Sequence, residues 1–125
     1  MVDGLFSREA SAAAARSLFA TDAPPDAIFV GNDHMAFAVI EVLRHELGLD
    51  IPEEVSIVGY DDVTLAAWDS FQLTTVRQPA NRMVEAAVEH LLDRIASSET
   101  KPERIEIDGP LIIRKSARIP KGWKE

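Results

Sequence analysis

Two stretches decide the fold of this chain: Ala27-Ile28-Phe29-Val30-Gly31-Asn32-Asp33 and Ile57-Val58-Gly59-Tyr60-Asp61-Asp62. Each is a short apolar run that ends in polar residues, and such a run is typical of a strand buried on both faces of a parallel sheet. Between them the sequence predicts one helix, with Asp33 as its N-cap and Gly48 as a left-handed C-cap. Strands separated by a single helix run parallel with a right-handed connection. The chain is therefore predicted to have an α/β fold.

The flanking sequence continues this pattern of helices and strands. Ser7 is predicted to cap a first helix of about 14 residues, since its hydroxyl can accept a backbone N–H in the first turn. Residues 73–78 are rich in strand-forming side chains. Asn81 is predicted to cap a helix that ends near Ser97 and carries the cleanest apolar stripe of the chain. Two further strands are predicted at 104–108 and 111–116.

Composition excludes several classes of protein. The 13 lysine and arginine residues and 21 aspartate and glutamate residues give a net charge of −8, which argues against a nucleic-acid surface on this chain. With no cysteine, disulfides and thiolate metal sites are excluded, and a reducing cytoplasm is compatible. No apolar run approaches the roughly 20 residues of a membrane helix. Residues 1–78 carry four basic and thirteen acidic side chains, whereas residues 79–125 carry nine and eight, so the character of the chain changes near Pro79.

Polar side chains follow three predicted strands at one edge of the sheet. In open parallel sheets ligands bind outside the carboxyl ends of the strands. Carboxylates and amides gathered there suit a neutral, hydroxyl-rich molecule such as a sugar or nucleoside. Asp33 has a competing interpretation as a helix cap, and Asp62 as an acceptor for turn amides. The residues at this edge are Asn32, Asp33, Asp61, Asp62 and Gln78.

An enzyme is the weaker hypothesis. Paired acids can act as general acid and base, and three acids at a sheet edge can hold Mg²⁺. The chain, however, has no glycine-rich phosphate loop and no nucleophile elbow. His34, His45 and His90 lack metal-ligand spacing. We therefore predict no catalytic residue, no metal and no cofactor.

Three segments, 25–36, 51–62 and 73–79, resemble in order and spacing the C-terminal part of LacI/GalR-type transcriptional regulators. The likeness extends from about Asp3 to Arg118. It implies a truncated, periplasmic-binding-protein-like (type I) fold, with a parallel sheet in a three-layer α/β/α arrangement. In that family two lobes enclose a sugar or related metabolite, and an N-terminal helix-turn-helix reads the operator as a dimer.

The resemblance also implies a division of the chain. Residues 1–78 would form the C-terminal lobe of the effector-binding domain, and residues 79–108 a crossover helix and strand that normally belong to the N-terminal lobe. Residues 109–125 would be the terminal strand and tail. No helix-turn-helix or N-terminal lobe precedes residue 1, so we expect a fragment or truncated form of a longer regulator. The helix at 81–97 would then fold back on the strands of this chain or bury its stripe in a neighbouring molecule.

Residue by residue, the resemblance assigns ligand contacts and a dimer surface. Asn32 and Asp61 match the effector-binding asparagine and aspartate of the family, and Gln78 a polar residue at the hinge edge of the cleft. Phe6 matches an aromatic that lies against the ligand, which suits the apolar side of a sugar ring. The family's dimer contact falls on four large side chains: Phe37, Leu65, Trp68 and Phe71.

Together these observations predict the ligand-sensing and dimerisation fragment of a cytoplasmic, LacI-type DNA-binding repressor. Its partners would be a sugar-like effector and a second copy of the chain, with DNA bound only through a helix-turn-helix outside this sequence and no membrane association. Effector binding would bias lobe closure and so the DNA-reading heads. Two alternatives are kept, a solute-binding module of a sugar transporter and an acid-based, Mg²⁺-dependent enzyme.

Overall fold

The computed structural model describes residues 1–97 and 104–123. Three helices and four strands alternate along the chain, with a π-helical turn and a short 3₁₀ helix between them. The helices are α1 (Arg8–Phe19), α2 (Asp33–Glu41) and α3 (Ala80–Ala96). The strands are β1 (Ala27–Phe29), β2 (Ser56–Asp61), β3 (Thr74–Arg77) and β4 (Leu111–Ile112). The π-helical turn spans Val42–Glu46 and the 3₁₀ helix Thr64–Ala67.

The four strands form one sheet in the order β1-β2-β3-β4. Strands β1, β2 and β3 are parallel, which confirms the predicted α/β fold, while β4 runs antiparallel to β3. The last predicted strand, 111–116, is shortened to two residues. The prediction of a strand at 104–108 was wrong, because this segment forms no ladder with the sheet.

The helix caps agree with the sequence at α1 and differ at α2 and α3. Ser7 accepts a hydrogen bond from the Ala10 N–H at 3.1 Å and caps α1, as predicted. At α2 the cap is Asn32, whose side chain accepts from the Met35 N–H at 2.8 Å. The prediction of Asp33 as the cap was therefore wrong, as was that of Asn81, which lies inside α3.

One face of the sheet is packed under α1 and α2. The core joins Ala15 of α1, Ile40 of α2 and Leu43 of the π-helical turn to Ile57 and Leu73 on the strands, and none of these side chains is more than 1% exposed. Burial of such aliphatic side chains is the main favourable contribution to folding. The sheet and these two helices therefore form the rigid scaffold on which the polar strand ends are placed.

The opposite face of the sheet is open. Phe29 and Val58 are partners in the β1–β2 ladder and point to the same face. Phe29 is 65% exposed and Tyr60 38%, so the expected burial of the first strand on both faces was wrong. No helix within 1–97 or 104–123 covers this face, and the third layer of the expected α/β/α arrangement is not formed by these residues.

Helix α3 carries its apolar stripe in the open. No residue of Ala80–Ala96 is buried, and the six large side chains of the stripe are 43–73% exposed. Of the two outcomes expected for this helix, folding back on the chain's own strands is not observed, and burial of the stripe in a neighbouring molecule stays a prediction. The stripe comprises Met83, Val84, Val88, Leu91, Leu92 and Ile95.

No helix in the described parts of the chain is both long enough and apolar enough to span a bilayer.

The segment after β4 joins the amino ends of β2 and β3. The buried Ser116 hydroxyl donates to the Ile57 carbonyl at 2.6 Å and accepts from the Thr74 N–H at 2.8 Å. Two residues earlier, the Arg114 N–H donates to the Thr74 hydroxyl at 2.9 Å. These bonds fix the position from which the Arg114 side chain reaches the polar end of the sheet.

Candidate ligand-binding site

The carboxyl ends of β2 and β3 bring two of the predicted ligand residues into contact. The Gln78 side-chain amide donates to Asp61 Oδ1, and the Gln78 backbone N–H donates to the Asp61 carbonyl at 3.4 Å. Both residues are half-buried. The parallel register that pairs Asp61 with Arg77 produces this contact. A carboxylate and an amide thus share one surface, where they offer acceptors and donors to a polar ligand.

Asn32 follows the neighbouring strand, β1, at the same edge of the sheet. Its side-chain oxygen is engaged as the cap of α2, with the Met35 N–H at 2.8 Å. Because an amide has both an acceptor and donors, its nitrogen is the group with which Asn32 would donate to a ligand. Asn32 therefore has the capping role expected of Asp33, and its role in ligand binding stays a prediction.

Phe6 stands at the tip of a tight turn beside the start of α2. The turn is closed by the Ser7 N–H bonding the Gly4 carbonyl at 2.9 Å, and its central residues Leu5 and Phe6 have φ angles of 49° and 50°. Gly4 is buried against the Met35 side chain, which a larger residue there would displace. The Phe6 ring is 82% exposed. An exposed aromatic on a left-handed turn, close to a helix that begins at a candidate ligand residue, is an arrangement typical of binding sites.

The chain turns sharply where β2 ends. Asp61 and Asp62 have φ angles of +123° and +58°, in a region of backbone conformation that residues other than glycine rarely adopt. Asp62 was expected to serve the ligand or to accept turn amides. Its carboxylate instead binds two arginines, with Oδ2 accepting from Arg77 Nε at 2.6 Å and Oδ1 from Arg114 Nη2 at 2.7 Å. Asp62 is therefore part of the support of the site.

The two arginines decide the protonation state of Asp62. Its carboxylate is only 4% exposed, and burial by itself would raise its pKa. Hydrogen bonds and charge from Arg114 and Arg77 outweigh that burial, so the pKa of Asp62 is lowered. Asp62 is ionised at neutral pH and held as an ion pair.

Asp33 has the opposite environment and lies inside the core. It is fully buried, with Oδ1 accepting from the Thr75 hydroxyl at 2.6 Å and Oδ2 from the Val63 N–H at 2.9 Å. Burial raises the pKa of Asp33, and the bonds from Thr75 and Val63 offset this only in part. The interpretation of Asp33 as a ligand residue or helix cap is replaced by a buried brace between α2, β3 and the turn after β2.

Gly59 makes room for this brace. A Cβ at position 59 would collide with Asp33 Oδ1 and would lie 2.9 Å from Leu73 Cδ2. Both neighbours are fully buried and have no space to yield. The glycine in the middle of β2 is thus required by the close approach of Asp33.

The acids do not assemble a metal site. The Asp33 carboxylate is bound by Thr75 and Val63 in the core, and the Asp62 carboxylate by two arginines. Of these three acids, Asp61 is the one that is half-buried at the sheet edge and bound by an amide side chain. Within 1–97 and 104–123 no three acidic or histidine side chains converge as cation ligands would. This geometry does not favour the Mg²⁺-dependent alternative.

The four residues expected at a dimer contact differ in exposure. Phe37 is 4% exposed and packs on Phe71 in the core, with ring centroids 4.3 Å apart. It offers no surface to a partner, and we remove it from the predicted interface. Trp68 is 57% exposed, and Leu65 and Phe71 are partly buried beside it along the chain. Trp68 is therefore the side chain of this group that is available to a second molecule.

Sequence reasoning missed the two arginines. Arg77 follows three strand-forming residues, and Arg114 ends the apolar run Leu111-Ile112-Ile113. A charged residue at the end of an apolar run needs a partner when it is buried. The position of Arg114 at the end of an apolar run therefore indicates that it pairs with an acidic side chain, but it does not indicate which one.

Comparison with known proteins shows which family this chain is similar to. A family model described as a periplasmic binding protein-like domain matches residues 2–117. Among curated proteins, the HTH-type transcriptional repressor PurR of Photobacterium profundum is 36% identical over 118 residues. That match covers 94% of this chain and 35% of the relative. The chain thus spans about a third of the length of the curated relatives that it matches.

Two solved structures that are similar to this chain are also those of transcriptional regulators. A transcriptional regulator CelR–cellobiose complex superimposes with a TM-score of 0.81 and 36% identity, over 90% of this chain and 34% of the other. A LacI family transcriptional regulator from Enterococcus faecium with bound ribose has a TM-score of 0.74 and 30% identity, over 90% and 40% of the two chains.

Proposed function

This chain belongs to the periplasmic binding protein-like family, and we propose that it is the effector-binding part of a LacI-type repressor that responds to a sugar or a related metabolite. Its curated relatives are transcriptional repressors, and two structural neighbours are LacI-type or related regulators with a sugar bound. The observation that carries the proposal is the polar edge of the sheet. There the side chains of Asp61 and Gln78 meet at the carboxyl ends of β2 and β3, and Asn32 follows the neighbouring strand.

The chemistry of this edge suits a sugar. The Asp61 carboxylate accepts strong hydrogen bonds from hydroxyl groups, and the amides of Asn32 and Gln78 add donors. The exposed ring of Phe6 offers a flat apolar surface to the C–H face of a pyranose or furanose. Because hydrogen-bonding sites discriminate strongly against ligands that lack the matching hydroxyl, Asp61 is the residue expected to set affinity.

Helix α3 and the open sheet face fit the same proposal. Six exposed apolar side chains on one helix form a patch of the kind that usually marks a contact with another protein surface. We propose that residues 79–108 pack against the N-terminal lobe of the complete regulator and that residues 1–78 and 109–125 form the C-terminal lobe. DNA would be bound by a helix-turn-helix outside this chain, so we expect a cytoplasmic protein that requires no cofactor. A solute-binding module of a sugar transporter would use the same edge and is the second candidate, favoured by the family's fold.

Asp61→Asn is expected to weaken sugar binding. Titration calorimetry of the chain with cellobiose and with ribose should give a Kd for at least one of them. The variant should raise this Kd about tenfold or more, since a charged hydrogen-bond acceptor is replaced by a neutral and weaker one. Asp69→Asn is the matched control, because Asp69 is an exposed acid that makes no contact with this edge. Equal affinity of Asp61→Asn and the wild type would refute the assignment.

We further propose that the chain forms a homodimer through Trp68 with Leu65 and Phe71. Large aromatic side chains are the usual anchors of an interface core. The wild type should sediment as a dimer, and Trp68→Asp as a monomer, because the carboxylate would be desolvated without a partner. Trp123→Asp is the control, since Trp123 is exposed to a similar degree, 53% against 57%, elsewhere on the surface. If both variants sediment like the wild type, this interface is wrong.

A further inference from the structure

The turn after β2 has an unfavourable backbone. Asp61 and Asp62 are consecutive residues with side chains, and both have φ in the left-handed range, +123° and +58°. L-residues populate this range rarely, and a native structure keeps them there only where the surroundings over-determine the conformation. Contacts from other parts of the fold must therefore hold this turn in place.

The Asp62 side chain attaches the turn to two other parts of the molecule. Its carboxylate is 4% exposed and binds Arg77 of β3 and Arg114 of the segment after β4 at 2.6 and 2.7 Å. Arg114 is itself 14% exposed and donates from Nη1 to the Leu73 carbonyl at 2.7 Å. A buried carboxylate shared between two guanidinium groups has little freedom to move.

Both neighbours of Asp62 are also fixed. Asp61 stays in the β2–β3 ladder opposite Arg77, and the Val63 N–H is bound by the buried Asp33 carboxylate at 2.9 Å. The two ends of the turn are thus held by the core, and the middle by the Asp62 carboxylate together with a bond from the Asp62 backbone N–H to Asp33. If the middle were released, residue 61 could relax to a negative φ, and its carboxylate would point in another direction.

We infer that Asp62 is a positioning residue, which Arg77 and Arg114 clamp so that the left-handed turn aims the Asp61 carboxylate at the ligand edge of the sheet. This rests on the proposed function, in which Asp61 contacts the effector. Asp62 would touch no ligand atom. Its contribution to affinity would come from orientation, for which displacements near 1 Å are costly.

The test measures the backbone of the turn directly. The scalar couplings between the amide and α protons of Asp61 and Asp62, which report φ, are compared in the wild type and in Arg114→Gln, Arg77→Gln and Arg16→Gln. Both clamp variants should shift the couplings. Arg77 is 53% exposed, so Arg77→Gln keeps the test valid if Arg114→Gln fails to fold. Arg16→Gln removes a surface arginine paired with Glu46 and should leave the couplings unchanged.

Cellobiose and ribose affinities separate positioning from a merely structural role. The Arg77→Gln and Arg114→Gln variants should raise the Kd about tenfold, because the Asp61 carboxylate would no longer be oriented toward the ligand. Arg114→Lys keeps the positive charge and should therefore lose less affinity than Arg114→Gln. Unchanged couplings in both clamp variants would overturn the inference. So would shifted couplings with full affinity, provided that Asp61→Asn does weaken binding. If Asp61→Asn leaves binding intact, the proposed function fails, while shifted couplings would still support the clamp.

Discussion

Replacing Asp62 with alanine is expected to lower the free energy of unfolding by about 3 kcal/mol, since removal of one partner from a buried ion pair leaves the other charge uncompensated. Arg114 is the partner left behind, with a side chain only 14% exposed. Urea denaturation followed by circular dichroism measures the change. Glu106→Ala is the control, because its pair with Arg104 is exposed on both sides and contributes at most about 0.5 kcal/mol.

The pH dependence of this effect has a defined sign. The pKa of Asp62 is lower in the folded chain than its ordinary value of 3.8. The stability that Asp62 contributes is therefore present above that value and is lost as the pH falls through the folded pKa. The difference between wild type and Asp62→Ala should shrink in acid. A difference that stays constant down to low pH would contradict the ion-pair explanation.

Asp33→Ala is expected to cost about 2–4 kcal/mol, because the Val63 N–H and the Thr75 hydroxyl each lose their acceptor in or near the core. One fully buried carboxylate accepts both of these hydrogen bonds. Asp33→Asn keeps one acceptor oxygen and the shape of the side chain, so it should cost less than half as much. Asp22→Ala, at an exposed acid before β1, is the control and should leave stability nearly unchanged.

Asp33 should show the reverse dependence on pH. Burial raises its folded pKa above the ordinary value of 3.8, so the folded chain binds its proton more tightly than the unfolded chain does. The stability that Asp33 contributes is complete below 3.8 and decreases as the pH rises through the folded pKa. The non-titrating Asp33→Asn variant should therefore approach the wild type in stability as the pH rises. A stability gap between the two that widens as the pH rises would contradict a raised pKa of Asp33 in the folded chain.

The sequence predicted most of the scaffold because the local signals for each helix and strand are strong there. The apolar run before Asn32, the stripe of α2 and Gly48 with its φ of +68° each fix one element without reference to distant residues. Helix α3 was equally clear as a helix. Its packing was not predictable, because an amphipathic stripe demands a partner but does not identify one.

The supporting residues of the site were less accessible to sequence reasoning. A polar residue at the start of a helix can cap its own first turn or bind distant groups, and the choice between Asn32 and Asp33 depends on Thr75, 42 positions away. Asp62 and Arg114 are 52 positions apart. The partners of each acid thus follow from tertiary contacts, while the edge at which the acids gather follows from strand order alone.

The measurement that tests the central claim most directly is a map of amide chemical shifts while the chain is titrated with cellobiose and with ribose. We predict that at least one sugar shifts the amides of Phe6, Asn32, Asp61 and Gln78 most strongly, at the carboxyl edge of the sheet. No shift with either sugar, or shifts confined to the amino edge around Ile51 and Lys115, would contradict a sugar-sensing site built on Asp61.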